Sequence, residues 1–251
     1  QLFVPSRNAD TLGDVYEHLL SEIQSAGKNG QFRTPRHIIR AIIELVNPQF
    51  NGRTPPKVCD PACGTAGFLV NSYIHLMAQH TSPDILEREA DGTPQKYVGD
   101  KLDRRAINAL RANTFYGWDF DRTMVRVGWM NMMQHGLTGA HVEYADALSK
   151  KSEDVLESNQ YDNVFANPPF TGNIEQGDKS SRFKIETNKT ELLFVDLILD
   201  LLKVGGRAGV IVPEGVLFGS TKAHRQLRQR LITDNQLEAV VSLPAGVFQP
   251  Y

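Results

Sequence analysis

The run Val164-Phe165-Ala166 stops at Asn167-Pro168-Pro169-Phe170, and those four residue types can do chemistry together. The Asn167 side-chain oxygen and the Pro168 carbonyl are two acceptors, and the two prolines fix φ, so both would point in set directions. Two converging acceptors match the two hydrogens of an –NH₂ group. Holding both hydrogens localises the nitrogen lone pair and aims it at an electrophile. No general base is required first, because the proton can leave after attack. The contribution of such a site is positioning and preorganised hydrogen bonding. Phe170 adds a flat face on which a planar base could stack. A stiff turn is the competing reading, and what surrounds the segment has to decide.

Three other stretches could supply a partner for such a site. In "DPACGTAGF", Gly64 and Gly67 allow a tight turn and close approach of a ligand, and the helix that follows offers free N–H groups. Ala66 stands where a G-x-G-x-x-G motif would invite another glycine. Asp60 would repel a pyrophosphate and suits an amino-bearing ligand such as the methionine end of S-adenosylmethionine. Asp119, in "GWDFD", could accept both hydroxyls of a ribose, with Phe120 packing on an adenine face. Asp119 or Asp121 could instead cap a helix. Asp146, in "YADAL", could accept from an exocyclic amino group or serve as a cap.

The elements that position these stretches follow from periodicity. Apolar spacing predicts helices from Asp10 to near Gly27 and over "HIIRAIIELV", "FLVNSYIHLMAQH", "RTMVRVGWMNMMQH", "TELLFVDLILDLL" and "AHRQLRQRLITD". Strands are expected at "KVCDPACG", "FYGWDF", "AHVEYADAL", "YDNVFANPP", "RAGVIVP" and "LEAVVSLP". Residues 81–115 are charged and irregular and read as an insertion rather than core. Continuous apolar strands alternating with helices argue for an α/β fold with a doubly wound, mostly parallel sheet covered on both faces. Its ligands belong at the carboxyl ends of the strands, where all four stretches fall.

Composition bounds the rest. The 251 residues are 41% hydrophobic and 22% charged, enough for a full α/β core. A net charge of −2 argues against strong nucleic-acid binding by the chain alone. Basic clusters at Lys28, Arg33, Arg36 and Arg40, and at Lys222, Arg225, Arg228 and Arg230, also suit ordinary solvated helix faces. Cys59 and Cys63 cannot build a disulfide framework, and no apolar run reaches the about 18 residues of a membrane span, so a cytoplasmic location is expected. No HxxxH or Cys/His cluster is present, and no metal site is expected. The chain opens on Gln1 and stops at Pro250-Tyr251, the pattern expected of a piece of a longer protein.

Taken in order, "GQFRTPRHI", "DPACGTAGF", "GWDFD…MNMMQHG", "ADAL", "NPPF", "LLKVGGRAGVIVPEGVLFG" and "LEAVVSLPAGVF" resemble the modification (M) subunits of type I restriction-modification systems. That family consists of adenine-N6 DNA methyltransferases, and the resemblance spans residues 10–251. It implies a Rossmann-like fold that uses S-adenosyl-L-methionine. By this resemblance Gln31, Arg33, Thr34 and Pro35 contact the cofactor, with Thr34-Pro35 near the methionine carboxylate; Arg33 replaces an aromatic found in many members. Asp60, Pro61, Gly64, Thr65, Ala66 and Gly67 would surround the methionine moiety. Asp119 would hold the ribose and Asp146 and Ala147 the adenine, with Phe120 also contacting the cofactor, while Asn167, Pro168, Pro169 and Phe170 would hold the target base. Residues 171–190 would form a mobile lid or a disordered loop.

The same resemblance divides the chain into the end of a helical N-terminal region, 1–30, and a catalytic domain, 31–251, lacking a final antiparallel strand. It implies double-stranded DNA with a flipped adenine, a specificity (S) subunit, a restriction or motor (R) subunit and a second M subunit as partners, and no membrane. The chain alone should then have little sequence-specific DNA affinity. Methyltransferases for ribosomal RNA guanine or protein glutamine carry related "NPPF" or "NPPY" motifs but generally lack "TPR" ahead of the glycine turn. A solitary fused restriction-modification enzyme and a non-catalytic cofactor-binding assembly subunit are the remaining alternatives.

Overall fold

The computed structural model describes residues 34–248. The helix expected from Asp10 to Gly27, along with Lys28, Gln31 and Arg33, lies outside the described residues. The elements, in chain order, begin with α1 (Arg36–Val46), β1 (Val58–Asp60), α2 (Gly67–Gln79), β2 (Glu87–Arg88) and β3 (Pro94–Lys96). They continue with α3 (Arg104–Asn113), β4 (Phe115–Asp119), α4 (Arg122–Gln134), β5 (His141–Tyr144) and β6 (Tyr161–Ala166). The last four are α5 (Thr190–Leu201), β7 (Leu202–Val210), α6 (Glu214–Phe218) and α7 (Lys222–Thr233).

Five strands form one sheet in the order β5-β4-β1-β6-β7, every neighbouring pair parallel. The chain winds outward from β1 through β4 to β5, then crosses back to β6 on the other side. The order therefore reverses between β1 and β6, which is where open α/β sheets bind ligands. The register seats Val58 beside Phe115 on one side and Asn163 on the other.

Alternation along the strands builds two cores, one on each face. Val58, Phe115 and Phe165 face a cluster with Ile43, Phe68, Leu69, Leu76, Leu110 and Met132, contributed by α1 to α4. Phe68 and Phe165 stack with ring centroids 5.6 Å apart. Cys59, Trp118, Val164 and Ala166 turn to the opposite cluster, built from α5, α6 and α7. Helix α5 is apolar around most of its circumference because it lies between the sheet and α7. Leu192, Leu193, Leu197, Ile198 and Leu201 are buried there, each stabilising the fold by roughly 1.5–3 kcal/mol. The one acidic group in its middle, Asp196, is ion-paired with Arg230 of α7. Among the described residues no helix is long and apolar enough to cross a membrane.

Three expectations are corrected. Residues 81–115 are not a loose insertion: they hold the antiparallel hairpin β2–β3 and the core helix α3. The Asp103 side chain caps α3 by accepting from the Ala106 N–H at 2.7 Å, and Ala106 and Leu110 are buried. Its apolar stripe is narrow and hides among arginines. "LEAVVSLP" forms no strand, and Leu237, Val240 and Val241 are at least half exposed. β-structure needs a paired neighbour, and among the described residues nothing pairs with the outer edge of β7.

Residues 171–190 are pinned rather than free. Lys150 N donates to Asp178 O at 2.8 Å, Ser180 N to Leu148 O at 3.0 Å and Ile174 N to Asn188 O at 3.0 Å. Lys184 N donates to the buried Asp196 carboxylate at 2.8 Å, and Ile185 sits in the second core. Their polar composition hid one buried isoleucine and a set of backbone anchors.

Candidate active site

The four singled-out stretches sit at the carboxyl edge of the sheet, as parallel pairing requires. Asp60 ends β1, Asp119 ends β4, Asp146 follows β5 and Asn167 follows β6.

The glycine turn is held from two directions. Gly64, at φ +51°, has open space where a Cβ would point, so the turn presents bare backbone on that side. Ala66 enters α2 in the left-handed region, at φ 61° and ψ 28°, a conformation that costs a residue with a Cβ about 1–2 kcal/mol. The Gly64 N–H donates to Asp119 Oδ2 at 2.9 Å, and the Asp121 N–H donates to Asp119 Oδ1 at 2.8 Å. Asp119 therefore staples the turn to the end of β4, while Asp121 caps α4 by accepting from the Thr123 N–H at 2.7 Å. Each Asp119 oxygen keeps a further lone pair for a ligand hydroxyl.

Helix α4 supplies two residues that sequence reasoning did not single out. Asn131 Nδ2 donates to Thr65 O at 2.7 Å, and a Cβ on Gly128 would lie 3.0 Å from Gly64 O. The signal for the second was present: a lone glycine inside a helical pattern commonly marks close approach of another backbone.

Electrostatics separate the two carboxylates. Asp60 is almost fully buried, and desolvation pushes its pKa up to about 8 against the Ala62 N–H that it accepts from; the nearby Asp119 charge adds to the rise. Desolvation also raises Asp119, opposed by the N–H groups of Asp121 and Gly64. At neutral pH Asp60 is thus mostly protonated, and a cationic group placed beside it would favour its ionised form.

Asn167 shows the most telling geometry. Its Nδ2 donates to Thr34 Oγ1 at 2.9 Å, joining the "TPR" loop to "NPPF" across 133 positions of sequence. Its Oδ1 is buried and has no hydrogen-bond partner. Pro168 is buried, Pro169 exposed, and Phe170 half-buried against the first core cluster. Asp146 and Phe120 are exposed; Asp146 accepts from the Leu148 N–H at 3.1 Å, and Ala147 is buried. Of the basic clusters, Arg40 pairs with Asp91 at 3.0 Å, Lys222 pairs with Glu186, Arg228 donates to Gly219 O and Arg230 holds Asp196. Those four contacts are structural.

A parallel sheet that reverses order beside β1, with a glycine turn after the first strand and a carboxylate after the next, defines the Rossmann-like class of doubly wound, nucleoside-binding folds. The match of residues 7–251 to the N-6 DNA methylase family model gives the narrower assignment: the chain belongs to the N-6 DNA methylase family. It is 30% identical over 251 residues to the methylase subunit of the type I restriction enzyme EcoEI of Escherichia coli, covering 99% of this chain and 46% of that subunit. Among solved structures, a chain from a type I R-M system, described for complex assembly and conformational transition, superposes with a TM-score of 0.73 at 34% identity. That match covers 97% of this chain and 45% of the other. The EcoKI M protein superposes with a TM-score of 0.63 at 28% identity, over 82% of this chain and 38% of that one. The chain thus spans less than half the length of these relatives.

Proposed function

We propose that this chain is the catalytic core of a type I modification subunit, transferring a methyl group from S-adenosyl-L-methionine to the N6 amino group of adenine in double-stranded DNA. The observation that carries the reading is the Asn167 Oδ1 atom, a buried acceptor with no partner beside the switch point of the sheet. An acceptor left empty in a core costs about 1–3 kcal/mol, and an amino group supplied by a substrate would satisfy it.

The site fits the proposed cofactor. The bare backbone at Gly64, the two lone-pair-bearing oxygens of Asp119 and the carboxyl of Asp60 offer room, ribose acceptors and a partner for an ammonium. In this reading Asp60, Pro61, Gly64, Thr65, Ala66 and Gly67 hold the methionine moiety with Gln31, Arg33, Pro35 and the backbone of Thr34, whose hydroxyl is engaged by Asn167. Asp119 holds the ribose, and Phe120, Asp146 and Ala147 the adenine. When bound, the cofactor supplies an electrophilic methyl group. Asn167 Oδ1 and the Pro168 carbonyl accept the two N6 hydrogens, Pro169 keeps the segment rigid, and Phe170 stacks on the flipped base. The nitrogen would attack the methyl carbon with its lone pair as the carbon–sulfur bond breaks and S-adenosylhomocysteine leaves. It would shed one proton to water afterwards, so no side chain has to act as a base. Because Oδ1 is buried here, base delivery requires the side chains that cover it to shift.

The similarity to methylase subunits extends the proposal to assembly with a specificity (S) subunit, a restriction (R) subunit and a second M subunit, in the cytoplasm, with residues 31–251 as catalytic domain and 1–30 ending a helical region. Mass spectrometry of nucleosides, after incubating DNA with the protein and its specificity partner, should detect N6-methyladenine. Methylcytosine, or methylated RNA, would overturn the substrate assignment. Asn167→Ala should abolish transfer while calorimetry shows the cofactor still bound.

A further inference from the structure

We infer that Thr34 is a positioning residue, whose hydroxyl holds the Asn167 amide with its oxygen facing the reactive space before any base arrives. The inference rests on the role proposed above for Asn167 and assigns Thr34 a task distinct from holding cofactor. Thr34 is 8% exposed, and its Oγ1 lies 2.9 Å from Asn167 Nδ2. The amide has two possible orientations, and a hydroxyl can serve either one. In the observed orientation one of the two amide hydrogens is satisfied and the carbonyl oxygen lacks a partner. In the flipped orientation the oxygen would take the Thr34 hydroxyl, and two amide hydrogens would be left buried and unpaired. Orphaned N–H donors are rarer in proteins than under-satisfied carbonyl oxygens, so the observed orientation is preferred. It is also the one that an arriving –NH₂ group needs, since a flipped amide would set hydrogens against hydrogens.

Position adds a second support. Thr34 immediately precedes Pro35, whose φ of −57° and carbonyl, accepting from the Ile38 and Ile39 N–H groups, tie the loop to the start of α1. Ile38 and Ile39 are core residues, so the hydroxyl is carried by a fixed part of the fold.

Thr34→Val keeps the branched shape and removes the hydroxyl. In the intact protein with its specificity partner, transfer of labelled methyl from S-adenosyl-L-methionine to unmethylated plasmid DNA should fall in kcat by about 10- to 100-fold. Cofactor affinity by calorimetry should stay within about threefold, and Thr34→Ser should restore most of kcat. Thr34→Ala, checked for an unchanged circular dichroism spectrum, serves the same comparison if the valine variant does not fold. An unchanged kcat with a cofactor affinity weakened more than tenfold would overturn the inference and make Thr34 a cofactor contact. Full activity of Asn167→Ala would instead refute the reading on which the inference rests.

Discussion

Replacing Asp60 with Asn should change how the stability of the protein depends on pH, and change it in one direction. The carboxyl titrates near its ordinary 3.8 in an unfolded chain, whereas burial at the end of β1 raises it to about 8. Between those values the native state holds a proton that the unfolded state has lost. Stability therefore falls as pH rises through the window; the contribution is fully present below 3.8 and lost by about 8. Each unit is worth roughly 1.4 kcal/mol, so the penalty accumulated between pH about 5 and about 8 is on the order of 4 kcal/mol. Asparagine is nearly isosteric, keeps an acceptor for the Ala62 N–H and cannot ionise.

Urea unfolding of both proteins without cofactor, followed by circular dichroism, isolates the effect because shared titrations largely cancel in the difference. Asp60→Asn should match the parent at low pH and become more stable by several kcal/mol near pH about 8. A stability difference that stays flat across that range would refute the assignment of a buried, proton-holding Asp60. The gain should be accompanied by weaker binding of S-adenosyl-L-methionine, because an amide cannot pair with an ammonium.

Two further outcomes test the scaffold. Ala66→Gly relieves the left-handed conformation at φ 61° and should raise the thermal midpoint, worth up to about 1 kcal/mol; a lower midpoint would count against strain there. Arg230→Met strands the Asp196 charge between α5 and α7 and should cost about 3–5 kcal/mol in denaturant unfolding, with most of the loss recovered when Asp196→Leu is added.

The site was legible where local chemistry and a strand end coincided. "NPPF" after Val164-Phe165-Ala166, the glycine turn after Cys59-Asp60 and the carboxylate at Asp119 each announce themselves within a few residues. Contacts between distant segments were not legible. The bond from Asn167 to Thr34 and the support of Thr65 by Asn131 depend on how helices pack, which periodicity does not encode. Helix α3 was hidden because Ala106 and Leu110 are the only two fully buried positions among charged neighbours. The apolar run at 237–243 failed for the opposite reason: its residues favour a strand, but pairing is a property of the neighbour. The protonated state of Asp60 follows from burial depth, which no spacing rule reports.

The short central strand has a consequence for how the molecule is made. β1 is three residues long, and both of its flanking partners come from far along the chain; Lys57, just before it, bonds Asp162 across 105 positions. Closing such separations costs entropy before any pairing rewards it, which slows folding of parallel sheets. The glycine turn leaves from this strand and Asn167 from its neighbour β6. During synthesis, then, the residues that would carry the reaction cannot come together until Tyr161–Ala166 has emerged and docked. A nascent or truncated chain ending before β6 would keep β1 paired with β4 but leave its other edge bare, with the site half built.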